Sequence, residues 1–259
     1  MTGFKEITSK DNSLIKLVCD LQRSAKVREE NSLFVLEGLR ICKDAFDNGI
    51  KFDKLIVSRT AMDKYSEEIF KFSEISNENI LIPDGLFKKI SETMSPQGII
   101  AVAQKPEKTE IDLKKGRFIG LENLQDPSNL GAISRTAEAL GVSGIIMSKN
   151  CCDPYSPKSL RASMGTLLRL PLVITENFDE DIKGFGLVSY ACVVDSNALP
   201  INEVNFSDGC VVVIGNEANG LTEETVKNSD FQVTIPMKGK AESLNASVAA
   251  SIAAWEMMK

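Results

Sequence analysis

The order of apolar and polar positions along the chain switches repeatedly between helical and strand periods. Leu14, Leu17, Val18 and Leu21 recur at helical spacing, which predicts a polar amphipathic helix over 12–27. Leu33 to Leu36 reads as a strand, followed by a helix over 38–48 that Gly49 stops. Further strands at 55–57, 80–82 and 99–102 alternate with helices at 61–71 and 84–92. Such alternation implies an α/β domain whose sheet is covered on both faces.

A polar, proline-punctuated stretch at 105–110 breaks the pattern, so the boundary is placed there: a first domain over 1–105, a linker over 106–113 and a second domain over 114–259. The alternation then restarts. Strands are predicted at 117–121, 145–147, 172–174, 187–190, 211–214 and 232–235. Helices are predicted at 129–140, 157–164, 177–184, 222–228 and 244–258, the last rich in alanine. No repeat of fixed period is present.

Composition narrows the chemistry. Among 259 residues there is no histidine, which excludes Ser-His-Asp triads, Cys-His dyads and histidine-ligated zinc. The net charge of −6 argues weakly against a nucleic-acid partner, yet residues 1–28 carry six basic and three acidic groups, an excess of three positive charges. That run is equally a basic arm or a solvated helix face. The six cysteines form no CxxC pair and several sit in apolar runs, as expected of buried reduced thiols. The opening MTGFKEITSK lacks the apolar core of a signal peptide, and no stretch approaches the roughly 20 apolar residues needed to span a bilayer. The expected location is the cytoplasm.

Ligands of parallel α/β sheets bind beyond the carboxyl ends of the strands, and three loops of the second half lie there. In Glu122 to Asn129, Ser128 or Asn129 can cap the next helix; Arg135, off that helix's apolar stripe, leans back toward the loop beside Asn129. The plainer alternative pairs Arg135 with Glu138 or Glu122. Gly215 to Gly220 joins a strand to a helix, a general anion or nucleotide cradle that is neither a Walker loop nor GxGxxG. In Ile235 to Asn245, Ser243 can cap the last helix with Asn245 in its first turn. Capping alone leaves Met237 and the small residues after Asn245 unexplained.

Asn123 to Ala137, Ile214 to Leu221, and Ile235-Pro236-Met237 with Ser243 to Ala249 resemble, in order and spacing, the three motifs of the SpoU (TrmH) ribose 2′-O-methyltransferases of the SPOUT superfamily. The likeness covers about 117–259. Residues 1–104 resemble more loosely the substrate-binding domain that precedes it in many members, an RNA-binding fold like certain ribosomal proteins. That likeness rests on Phe34 to Gly38 and Ser95 to Gly98. The resemblance implies a knotted parallel α/β domain, a homodimer through this domain, and S-adenosylmethionine bound in the knot. Gly215, Asn216, Gly220, Ile235, Met237 and Leu244 would hold that cofactor; Arg135, Asn129, Glu217, Ser243 and Asn245 match the active-site positions. One departure is Ala246, where many members have Val. The implied reaction, methyl transfer to a ribose hydroxyl of a structured RNA, ribosomal rather than transfer RNA, needs no metal and no imidazole. The competing readings are a transfer-RNA methyltransferase, a non-catalytic RNA-binding or ribosome-assembly protein on the same fold, and a nucleotide hydrolase using Gly215 to Gly220. The last lacks a phosphate-binding lysine.

Overall fold

The computed structural model describes residues 3–106, 113 and 115–259. Most of the predicted linker, residues 107–112, lies outside the described residues. The chain packs as two units, one of residues 1–107 with 155–161, the other of 108–154 and 162–259.

The first unit holds a five-stranded sheet of β1 (Lys5–Glu6), β2 (Leu33–Glu37), β3 (Phe52–Ser58), β4 (Ser76–Ile82) and β5 (Ile99–Gln104), in the order β1-β4-β3-β5-β2. It is mixed, because β5 runs antiparallel to both β3 and β2. Helices α1 (Ser13–Arg23), α2 (Ala25–Asn31), α3 (Leu39–Asp47), α4 (Arg59–Lys64), α5 (Ser66–Glu74) and α6 (Asp84–Ile90) accompany it. Val18 and Leu21 of α1 and Phe87 of α6 close over Val35, Ile56, Ile80 and Val102 of the sheet.

Two helices predicted as continuous are broken. Within 12–27, Ser24 is extended; its N–H donates to the Asp20 carbonyl to end α1, and its hydroxyl accepts from Val27 N–H to start α2. The helix predicted over 61–71 begins earlier, at Arg59, because the Ser58 hydroxyl caps it, and Tyr65 interrupts it before Ser66. Capping hydroxyls can end one helix and begin another without disturbing the apolar period, so periodicity does not reveal such breaks.

The second unit holds seven parallel strands: β6 (Arg117–Leu121), β7 (Gly144–Ser148), β8 (Leu172–Thr175), β9 (Val188–Cys192), β10 (Leu199–Pro200), β11 (Cys210–Ile214) and β12 (Phe231–Thr234). Their order is β10-β12-β9-β11-β6-β7-β8. Central β11 and β7 are buried at every position, as a sheet covered on both faces requires. Four helices accompany these strands, α7 (Pro127–Leu140), α9 (Phe178–Gly184), α10 (Glu223–Asn228) and α11 (Ala246–Met258), while α8 (Pro157–Ser163) is divided, residues 157–161 grouping with the first unit. Phe178 and Ile182 of α9 pack on Phe118, Val211 and Val213. The two-residue edge strands β1 and β10 were not predicted, being too short for a period to show.

Two caps differ from expectation. Neither Ser128 nor Asn129 caps α7: Asp126 does, accepting from Ser128 N–H at 2.8 Å, with Pro127 at the first helical position. Asn245, not Ser243, caps α11, its side-chain oxygen accepting from Ser247 N–H at 2.9 Å. Among the described residues no helix is long and apolar enough to cross a membrane.

Candidate functional site

Three loops meet at the carboxyl ends of β6, β11 and β12. The loop after β6 starts with two residues that bind the loop after β11. Glu122 is buried; its carboxylate accepts from the Thr222 N–H (2.9 Å), the Thr222 hydroxyl (2.8 Å) and the Thr225 hydroxyl (2.8 Å). Asn123 takes a left-handed backbone (φ 55°), which asparagine tolerates, and its carbonyl accepts from Asn216 Nδ2 at 2.8 Å. The loop after β7 supports this one from behind: Asn123 N–H donates to Ser148 Oγ, Leu124 N–H to Cys151 Sγ, and Cys152 N–H to the Leu124 carbonyl.

The loop after β11 is a closed turn. Asn216 and Gly220 exchange backbone hydrogen bonds of 2.9 Å each, and Asn216 Oδ1 accepts from the Ala218 and Asn219 N–H groups. Gly215 makes this closure possible: a Cβ there would run into the backbone of Gly220 and Leu221. Glu217 projects from the turn back to the first loop. Its Oε1 accepts from Asp126 N–H and Asn129 Nδ2, both at 2.9 Å, and its Oε2 from Gln125 N–H at 3.1 Å. Asn129 Oδ1 in turn accepts from Asn245 Nδ2 at 3.1 Å. One chain of hydrogen bonds therefore joins all three loops, Glu217 to Asn129 to Asn245. Partial burial pushes the Glu217 carboxyl up, but the donors from Asn129, Asp126 and Gln125 outweigh it and hold the group below the usual range.

Behind this chain lies a cavity of about 400 Å³. The turn Gly215 to Leu221, with Ile235, Met237, Ser243 and Leu244, forms its wall, together with Val193, Ala246 and Ala249. Of the predicted cofactor contacts, Gly215, Asn216, Gly220, Ile235, Met237 and Leu244 all line it. Glu217 and Ser243 belong to the same wall, whereas Asn129 and Asn245 join it through Glu217. A cavity of this size, lined by apolar and polar groups in similar shares and by a tight backbone turn along one side, suits a small organic ligand with both polar and apolar parts.

Arg135 stands apart. It is exposed and makes no hydrogen bond or ion pair among the described residues, so the structure does not bring it to Asn129, Glu217 or Asn245. Six residues beyond Asn129 on a helix is about 240° around the axis, a different face. The surface pairing weighed for it is also absent. Arg169 takes Glu138 with Nε (2.6 Å) and Nη2 (2.8 Å) and holds its carboxyl below the usual range, and Glu122 is committed to Thr222 and Thr225.

The six cysteines are all free. Burial pushes the Cys42 thiol up to about 12; burial, then the neighbouring Cys151, Glu217 and Asp126, do the same for Cys152 beside the site. Neither is a ready nucleophile. Among the described residues no group of three or more His, Cys, Asp or Glu could hold a metal ion.

Sequence reasoning missed Glu122 and Asp126. Asp126-Pro127 carries a readable signal, a capping residue before a proline at the first helical position. Glu122 carries none short of knowing that β6 and β11 are neighbours.

A parallel sheet with a cavity at its carboxyl ends, rimmed by a three-loop hydrogen-bond chain, defines a ligand-binding α/β domain of enzyme type. Residues 116–255 match the model of the SpoU rRNA methylase family, and residues 12–101 that of the MRM3-like substrate-binding domain. Over 254 residues the chain is 30% identical to an uncharacterized tRNA/rRNA methyltransferase of Synechocystis, covering 96% of this chain and 92% of that one. It is 28% identical to the 23S rRNA (guanosine(2553)-2′-O)-methyltransferase of Bacillus subtilis, covering 98% and 99%. The crystal structure of an AdoMet-bound rRNA methyltransferase from Sinorhizobium meliloti superposes with a TM-score of 0.86 at 26% identity, over 98% of this chain and 97% of that one. The chain belongs to the SpoU rRNA methylase family.

Proposed function

We propose that this protein transfers a methyl group from S-adenosylmethionine to a ribose 2′-hydroxyl of ribosomal RNA. The observation that carries this is the position of Glu217, which belongs at once to the cavity wall and to the hydrogen-bond chain through Asn129 to Asn245. When bound, S-adenosylmethionine supplies a methyl group on a sulfonium. The backbone of Gly215, Ile235 and Leu244 would hold it, with Asn216, Gly220 and Met237 closing the cavity. The three loops would contribute chiefly by orienting the acceptor ribose toward that group.

Glu217 is a poor proton acceptor, since its oxygens take three N–H donors and its carboxyl is held acidic. Its work is to fix the loops. Asn129, Asn245 and Ser243 offer polar groups to the ribose. Arg135, on another face of α7 from Asn129 and with no partner among the described residues, is free to clamp a phosphate of the RNA, while phosphate or water takes the proton.

The first unit, residues 1–105 by sequence, is the RNA-binding domain. The second works as a homodimer. Helix α11 is apolar all round, yet Val248 (45%) and Trp255 (58%) are exposed seven residues apart on one face. A helix of that composition is normally buried on every side, so a second copy is the cover proposed for this face. The knotted path belongs to the same reading. Strand β12 pairs with β9 and β10, but α11 after it returns to α7, where Ser251 Oγ donates to Thr136 Oγ1.

The test is transfer of tritiated methyl from S-adenosylmethionine to large-subunit rRNA transcribed in vitro, followed by mapping of 2′-O-methyl sites. Label at a ribose oxygen is expected; no label in any rRNA, with cofactor bound, overturns the reading.

A further inference from the structure

The charges of the second unit are largely used up internally. Arg117 pairs with Asp208, Lys149 with Glu176, Arg169 with Glu138 and Lys259 with Glu256, while Lys183 donates to Asn228. Among the described residues of this unit, four cations make neither an ion pair nor a hydrogen bond: Arg135, Lys227, Lys238 and Lys240. Lys227 sits in the last turn of α10, where the helix dipole favours a cation. Arg135 already has a proposed role. Lys238 and Lys240 have no partner among the described residues, although residues 108–259 carry 19 acidic groups against 14 basic ones.

Their position is informative. Met237 and Ser243 both line the cavity, and the chain between them, 238–242, is exposed throughout. The two lysines therefore stand at the cavity rim. Gly239 separates them, in a stretch where the chain bends. A cation kept unpaired in an acidic surrounding gives up a small favourable Coulomb interaction. At the mouth of a site such cations suit a polyanion that arrives from outside.

We propose that Lys238 and Lys240 dock neighbouring phosphates of the RNA backbone and so set the register of the acceptor ribose over the cavity. This rests on the methyltransferase reading above. It assigns RNA affinity, and none of the cofactor's, to the exposed stretch 238–242 of the loop that precedes the last helix. Phosphate contacts position a nucleic acid without reading its bases. Phosphate neutralisation also releases counterions, so each contact leaves a mark in the salt dependence of binding.

The experiment uses the full chain and a fluorescein-labelled fragment of large-subunit rRNA transcribed in vitro. Affinity is measured by anisotropy from low to moderate salt for the wild type, K238Q/K240Q and the control K227Q. Cofactor affinity is measured by isothermal titration. The double variant is expected to flatten the slope of log affinity against log salt by about 0.7–0.9 per lost contact. It is also expected to raise KM for RNA about tenfold, with cofactor affinity and the K227Q slope unchanged. An unaltered slope overturns the proposal. So does a loss of cofactor affinity, which would mean that the lysines hold the carboxylate of the methyl donor. Failure of the methyltransferase reading shows separately, as absence of methyl transfer by the wild type, because the binding slope does not depend on turnover.

Discussion

Asn129 Nδ2 donates to Glu217 Oε1 at 2.9 Å, joining residues 88 positions apart in the chain. The bond ties the first turn of α7 to the turn that walls the cavity. Because Asn129 Oδ1 also accepts from Asn245 Nδ2, a single amide fixes the relative positions of all three loops. Its orientation is determined, since a flipped amide would face the Glu217 carboxylate with an oxygen.

Glu217→Gln tests that arrangement. A glutamine has one acceptor oxygen, so its NH₂ must face at least one of the three donors now satisfied. Turnover is expected to fall at least tenfold, with a stability loss of about 1 kcal/mol, kept small by the exposure of this side chain. The loss carries a pH signature. The folded carboxyl lies below its ordinary value of 4.5, so its stabilisation is present above that pH and disappears as pH falls through the lower folded value. The difference between wild type and variant in urea unfolding should therefore be full at pH 7 and shrink below pH 4.5. A difference that stays constant down to pH 3 contradicts the assignment.

Asn245 does two jobs that substitution can separate. Its oxygen caps α11 through Ser247 N–H, and its NH₂ donates to Asn129. Asn245→Asp keeps a good capping oxygen but loses the donor, so the unfolding midpoint should be unchanged while turnover drops. Asn245→Ala loses the cap as well and should cost about 1 kcal/mol more. Equal stability losses in the two variants would show that the Asn129 bond, not the cap, carries the stability.

Much of this site was legible in sequence because it lies on three short local motifs. The strand at 117–121 and the stop at Gly141 followed from pattern alone. Gly215 to Gly220 is both a contiguous motif in the sequence and a contiguous stretch of the cavity wall. What was not legible depends on which strands are neighbours. Glu122 looks like any acidic residue at a strand end until β6 is placed beside β11 and Thr222 comes within reach. Arg135 was expected beside Asn129 from side-chain lean along the helix. The angular offset between the two positions, and the commitment of Asn129 to Glu217 and Asn245, keep them apart.

Gly215→Ala should damage the cavity more than any other single methyl group added to the turn. The new Cβ meets Gly220 and Leu221 backbone, and the paired hydrogen bonds between Asn216 and Gly220 prevent that backbone from yielding. Cofactor affinity by isothermal titration is expected to fall at least tenfold. Gly220→Ala is the control: its Cβ points into open space, so only the left-handed backbone (φ 68°) is penalised, by about 1–2 kcal/mol. Wild-type affinity in Gly215→Ala would mean the turn does not wall the cofactor.

Arg135→Ala should separate chemistry from binding and folding. The side chain is exposed and has no partner among the described residues, so its loss removes no interaction of the folded state. Thermal midpoint and cofactor affinity should match wild type. With the guanidinium clamping a phosphate that positions the acceptor ribose, kcat should fall by about 10- to 100-fold, the cost of a misplaced reacting group. Arg135→Lys keeps the charge but not the planar fork, and should recover only part of that loss. The measurement is single-turnover methyl transfer to rRNA at saturating cofactor. Near-normal turnover by Arg135→Ala would remove this residue from the mechanism and leave orientation by the Glu217, Asn129 and Asn245 chain to account for the rate.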